Sequence, residues 1–203
     1  HIKFGLCEDY ADLAVYAMRA LGIPVGIEVV PHWGSANNNH TFNVVYDNDG
    51  RCYDFSGGEN NPGEHLHRFT KDIPKVYRER YDANPQSLAM LKGNEEVPPF
   101  FRNPYMEDVT GNYDFIGARD IAVSRTKDMK GKFAYLCVFD PNGWTPVAWG
   151  EVERDSVRFS DVGPNIVYHL ACYEEGELRL TGHPFFLDTL GVMKPFAPSG
   201  NLQ

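Results

Sequence analysis

Residues 4–24 read FGLCEDYADLAVYAMRALGIP. Apolar side chains recur at positions 10, 11, 14, 17, 18 and 21, the spacing of one face of an α-helix. Glu8 and Asp9 suit its first turn, where the helix dipole favours acids. Gly22 ends the run and Pro24 forbids its continuation. Cys7 therefore stands where the helix begins, two residues after Gly5. A helix N-terminus can lower a thiol's pKa, and its unpaired N–H groups can hold an oxyanion. Gly5 would leave room for a substrate. Alone, a helix cysteine is more often a small buried side chain, so the partners of Cys7 decide its meaning.

Those partners are sought in the segment that packs on the helix. VGIEVVP (25–31) is an extended apolar run, followed by the polar loop HWGSANNN (32–39). HTFNVVYD (40–47), the turn residues NDG (48–50) and RCYDF (51–55) then make a hairpin signal. One helix on a small antiparallel sheet is the expectation. His40 opens the first hairpin strand and Asp54 follows 14 residues later on the return strand. Cysteine catalysis needs a base for the thiol and a group that orients the base, and these two side chains suit those roles. A four-residue loop would pair Asn43 with Asp54 and put His40 and Asp54 on opposite faces. A bulge with Gly50 left-handed shifts the register by one residue. Phe42 would then oppose Asp54, with His40 its diagonal neighbour on the same face.

The stretches GLCEDYADLAVYAMRALGIPV and HTFNVVYDNDGRCYDF together resemble the transglutaminase-like core, a papain-related fold. The features carrying the resemblance are a Gly-x-Cys at a helix start, an RALGIP helix end, a His-x-Trp-Asn strand and a following Asp. Phe42 stands at the Trp position. The resemblance covers roughly the first 60 residues and implies Cys7 as nucleophile, His40 as general base and acid, and Asp54 as orienting group. It also implies attack on an amide of a peptide or protein, without a cofactor, in an exported protein like the bacterial multidomain members. The chain opens at His1 and enters a helix almost at once, so we expect a fragment or processed form with part of the domain upstream.

SGGENNPGEHLH (56–67) reads as a loop. NPQSLAMLKG (84–93) reads as a short helix with Asn84 as N-cap, Pro85 in its first turn and Gly93 as terminator. The Pro-rich, aromatic stretch 95–113 marks the boundary between a truncated domain, residues 1–105, and a second, residues 106–203. From about residue 118 only strands are expected: 121–126, 133–140, 144–153, 156–162, 166–174 and 177–188. Short strands separated by turn residues are the pattern of a β-sandwich. The fold class expected is α+β, a transglutaminase-like domain followed by an all-β accessory module.

The 203 residues carry a formal charge of −9 and no basic run, which excludes a nucleic-acid surface. No apolar run approaches the length of a membrane helix. Four cysteines without a CxxC pair disfavour a zinc site or a disulfide scaffold, though Cys137 and Cys172 could pair. His32, His65 and His67 are set aside as metal ligands, and no calcium loop is present. Trp33 and Phe42 could wall a substrate cleft. Trp144, Trp149 and Tyr173 could stack a sugar, although packing is the commoner role for such residues. The leading reading is thiol-dependent acyl transfer or hydrolysis on amide bonds. The alternative is a surface module that binds protein or glycan, its Cys, His and Asp unused.

Overall fold

A computed structural model describes residues 4–64 and 72–196. Helix α1 spans Cys7–Ala20, as the apolar period requires. The Asp9 carboxylate accepts the Leu6 N–H at 2.8 Å and closes the first turn. At the other end Gly22 takes φ 76°. Its N–H reaches the Arg19 carbonyl at 2.9 Å, and that of Ile23 the Met18 carbonyl at 3.0 Å. The apolar stripe is less deeply buried than its spacing suggests. Ala11 alone is buried in α1, while Leu6, Leu13, Tyr16 and Leu21 are exposed. The sheet covers only one side of the helix.

That sheet has five antiparallel strands in the order β3-β2-β1-β4-β5. They are β1 (Val25–Val30), β2 (His40–Tyr46), β3 (Cys52–Phe55), β4 (Tyr77–Glu79) and β5 (Met106–Asp108). The hairpin register differs from both alternatives considered in the sequence. Tyr46 pairs with Cys52 and Val44 with Asp54. The connection is thus one residue longer than counted, and the shift runs the other way. Asp47 is the cause: its carboxylate accepts the N–H groups of Asp49 and Arg51, each at 2.9 Å. Gly50 takes φ 80° within that turn. A one-residue shift in either direction restores the same parity, so Asp54 shares a face with Val44, Phe42 and His40.

The helix expected over 84–93 shrinks to α2, Leu88–Leu91. The Asn84 carboxamide instead accepts the Gln86 N–H at 3.0 Å and donates to the Met106 carbonyl at 2.9 Å. It ties a turn to β5 rather than capping a helix.

Six further strands lie close to where the sequence puts them: β6 (Arg119–Ser124), β7 (Phe133–Asp140), β8 (Gly143–Glu151), β9 (Ser156–Val162), β10 (Ile166–Glu174) and β11 (Glu177–Leu187); a short β12 (Met193–Pro195) is additional to the expected set. Five form a sheet in the order β12-β11-β10-β7-β8, and β6 pairs with β9. Leu136, Val138, Tyr168 and Leu187 of the larger sheet share a core with Ile121, Val157 and Phe159 of the smaller. All four cysteines are free, and Cys137 and Cys172 are buried. No helix among the described residues is long and apolar enough to cross a membrane.

The two halves are joined by buried contacts. Tyr77, Leu88, Val97 and Phe101 share a core with Phe133, Tyr135, Cys137 and Ala171. Trp149 and Tyr173 pack against it. The Tyr77 hydroxyl donates to the Val147 carbonyl at 3.0 Å. The fully buried Lys75 ammonium donates to the carbonyls of Ser160 and Asp161 at 2.9 and 3.2 Å. Gly163 passes so close to the Ile73 carbonyl that a Cβ would lie 1.9 Å from its oxygen. His32 is also buried here, its ring bridging the Trp33 carbonyl at 2.7 Å and the Asp140 carboxylate at 2.8 Å. His65 and His67 lie outside the described residues.

The hydrogen bond from His32 and those from the Asn142 and Gly143 backbone hold the Asp140 carboxyl below its usual range. A depressed folded-state pKa adds stability above the ordinary value, about 3.9, and loses it as pH falls further. Acid titration of unfolding should therefore show Asp140→Asn less stable than the parent at neutral pH. The difference should narrow below about pH 4.

Candidate active site

Strand β2 has two sides with different occupants. On one, the Asn43 amide donates to the Ala11 carbonyl at 3.0 Å and pins α1 against the sheet. Gly57 lies there too: a Cβ on it would sit 2.4 Å from the Tyr10 carbonyl oxygen. On the other side stand His40, Phe42 and Val44, with His40 against Trp33 and Phe42 against Tyr113.

His40 and Asp54 line one cavity of about 30 Å³, together with Trp33, Phe42, Ser56 and Tyr113. That volume holds about one or two waters, so a substrate could engage His40 only from the outer rim. The His40 ring stacks between Trp33, with centroids 5.5 Å apart, and Phe42, at 5.9 Å. Its Nε2 lies 3.5 Å from the Ser56 hydroxyl. Trp33 is fully buried and belongs to the local core while also walling this cavity.

Cys7 is not among the residues lining that cavity. It sits at the adjoining corner, at the first residue of α1, where the backbone of Thr41, next to His40, hydrogen-bonds the sulfur. The thiol lies 3.3 Å from the Glu8 carboxylate. Partial burial, then Glu8 through its hydrogen bond and charge, hold the thiol above its usual pKa despite the Thr41 contact. The sequence led us to expect a lowered value. The difference arises because the sulfur is partly buried and because Glu8, in the first turn of the helix, points its charge at it. The space beside Gly5 is taken by Asp9, whose carboxylate oxygen would lie 3.3 Å from a Cβ there.

Beneath the cavity runs a buried ionic network that the sequence reading missed. Glu28 is fully buried in β1 and is paired by Arg78 of β4 through Nε at 2.8 Å and Nη2 at 2.5 Å. The Tyr113 hydroxyl donates to the other oxygen of the same carboxylate. Burial still holds the Glu28 carboxyl above its ordinary range, and the charge of nearby Asp54 adds to that shift. Burial, followed by Glu28 itself, also pushes the Tyr113 phenol up, so it stays a donor. The available signal was one acid inside the apolar run VGIEVV; its partners, Arg78 and Tyr113, lie 50 and 85 residues away and left no local pattern. Arg78 also contacts the Cys52 sulfur at 3.6 Å.

Removing the guanidinium leaves a buried, uncompensated carboxylate, a change that costs about 3–5 kcal/mol. Arg78→Met should lose that much in urea unfolding at about pH 8. The loss should shrink toward about pH 5, where Glu28 can take up a proton instead.

No curated protein and no solved structure matches the chain. Residues 2–56, which contain Cys7, His40 and Asp54, match the family model described as the transglutaminase-like superfamily. The similarity covers α1 and the first hairpin, the part of the chain that carries all three candidate residues, and the family model does not extend into the strand-rich remainder.

Proposed function

We propose that this protein performs thiol-dependent acyl transfer or hydrolysis on amide bonds of a peptide or protein. One observation carries the reading. The matched segment sets a thiol in the first turn of α1 against the backbone of Thr41. The preceding residue, His40, shares a cavity with Asp54. The raised thiol pKa means that sulfur is neutral at rest, so proton removal must accompany attack. His40 takes the proton as the Cys7 sulfur bonds to the amide carbonyl carbon. Collapse of the tetrahedral intermediate breaks the C–N bond, and His40 returns the proton to the departing amine. A thioester remains. Water converts it to a carboxylic acid, or a second amine to a new amide, and the thiol is regenerated. Asp54 orients the imidazole, and first-turn N–H groups of α1 face the oxyanion. Trp33 and Phe42 wall the imidazole's cavity behind the receiving rim, and Gly5, its near space filled by Asp9, leaves the approach to Cys7 free of a side chain of its own. The strand-rich second half serves as a β-sandwich accessory module, and the protein works outside the cell.

A second reading has a specific observation in its favour: a thiol held up by burial and by Glu8 suits a binding module whose Cys7 is unused. One set of measurements separates the two. On an amide-substrate library, Cys7→Ala and His40→Ala should each abolish turnover; turnover unchanged in Cys7→Ala would leave the binding reading. Iodoacetamide labelling, followed at Cys7 by peptide mass mapping, reports the thiol directly. Glu8→Gln removes the neighbouring negative charge, lowers the thiol pKa and should speed labelling several-fold at about pH 7.5. An unchanged rate would show that Glu8 does not govern the sulfur.

A further inference from the structure

A second concavity is much larger than the His40 cavity. It is a groove of about 700 Å³ between the halves, walled by β4, β5 and the α2 turn on one side and by β8 and β9 on the other. It shares no lining residue with the His40 cavity. Its volume falls within the range of small-molecule sites, about 300–1,000 Å³.

Four features of its wall indicate what it takes. Trp149 lines it as a half-buried indole whose ring meets Phe133 edge to face, with centroids 5.6 Å apart. Ser87 lines it as well; the residue is only 6 % exposed, and its hydroxyl has no hydrogen-bond partner. A buried hydroxyl without a partner is destabilising unless something supplies one. Gln86 and Asn103 add carboxamides, and the Asn103 oxygen is already engaged by the Tyr105 N–H at 2.9 Å, leaving its NH₂ to point elsewhere. Finally, the charges along the wall are matched. Lys75 pairs with Asp108, Arg80 with Glu107 and Arg158 with Glu153, which leaves the Glu151 carboxylate as an acceptor. Matched charges give no net field to attract an anion, and one acid is a weak basis for a cation.

We infer that this groove binds a neutral oligosaccharide of two or three rings, one ring against Trp149 and its hydroxyls on Ser87, Gln86, Asn103 and Glu151. Such a ligand offers an apolar C–H face for the indole and hydroxyls that both donate and accept. An extended peptide fits less well, because it would seek a sheet edge. β5 offers three residues, and Gly150 of β8 is pressed against the Arg158 carbonyl of β9, where a Cβ would lie 2.1 Å from the oxygen. The inference is independent of the Cys7 chemistry, and a failure of either leaves the other standing.

The test is calorimetric and fluorescence titration of the whole protein with chitotriose, cellotriose and maltotriose, each to about 10 mM. N-acetylated penta-alanine amide is titrated in parallel. At least one trisaccharide should bind saturably and perturb tryptophan emission. Trp149→Ala should weaken that binding about tenfold or more, as loss of an aromatic anchor does. Ser87→Ala should weaken it about three- to tenfold while leaving the melting temperature unchanged or raised, since the change removes an unsatisfied buried hydroxyl. That second variant separates lost recognition from lost folding. No saturable binding of any trisaccharide, binding indifferent to both variants, or tighter binding of the peptide would each overturn the inference.

Discussion

Everything at the candidate site follows from the two-sidedness of β2. Successive side chains of a strand leave on opposite faces, and in His40–Tyr46 the faces have separate duties. Thr41 and Asn43 meet α1, through a backbone contact to the Cys7 sulfur and a hydrogen bond donated by the Asn43 carboxamide to the Ala11 carbonyl. His40 and Phe42 meet the layer built by Trp33, Val76 and Tyr113. The thiol and the imidazole thus approach from different layers and come nearest at the start of the strand, where His40 and Thr41 are consecutive. Asp54 reaches the imidazole's side only because Asp47 closes a turn of odd length. A turn one residue shorter would send that carboxylate to the helix side.

The same layer explains why a charged group lies so deep. Glu28 pairs in the sheet with Phe42 on β2 and with Arg78 on β4. It therefore lies beneath the cavity shared by His40 and Asp54. A buried carboxylate is tolerated when its lone pairs are filled and its charge matched; Arg78 and Tyr113 do both. Together they fix the floor on which the stacked rings of Trp33, His40 and Phe42 rest. The Asp54 charge is felt by both Glu28 and Tyr113, so floor and candidate site are one electrostatic unit. A rigid, filled floor also accounts for the small cavity above it.

How much of this was legible in the sequence depends on the range of the interaction. α1, its Gly22 terminator, the hairpin and nearly every later strand could be read, because periodicity, capping and turn chemistry are local. The parity of His40 and Asp54 was reached by argument, but with the wrong register, since the Asp47 side chain and not Gly50 alone sets the turn. Asn84 misled for a related reason: its carboxamide has the chemistry of a cap, and a distant carbonyl, that of Met106, took its NH₂ group. The roles of Glu28, Arg78, Tyr113 and Ser56 left no local trace. Neither did the raised thiol pKa, which depends first on the burial of the sulfur and then on where the Glu8 carboxylate points.

The second half of the chain does more than follow the first. Val76, whose N–H donates to the Thr110 hydroxyl and whose carbonyl accepts the Val109 N–H, lines the His40 cavity. Its neighbours on both sides are held by the strand-rich half: Lys75 by the Ser160 and Asp161 carbonyls, and Tyr77 by the Val147 carbonyl. Trp33 is fixed similarly, since the ring of the preceding His32 is bonded to Asp140 on β7. Two of the cavity's walls are thus positioned by bonds that cross between the halves. The groove on the other side of β4 has its far wall on β8 and β9, which belong to the same strand-rich half. Any shift of one half against the other would therefore change the cavity and the groove together, through the single three-residue strand Tyr77–Glu79 and the Lys75–Val76 pair that leads into it.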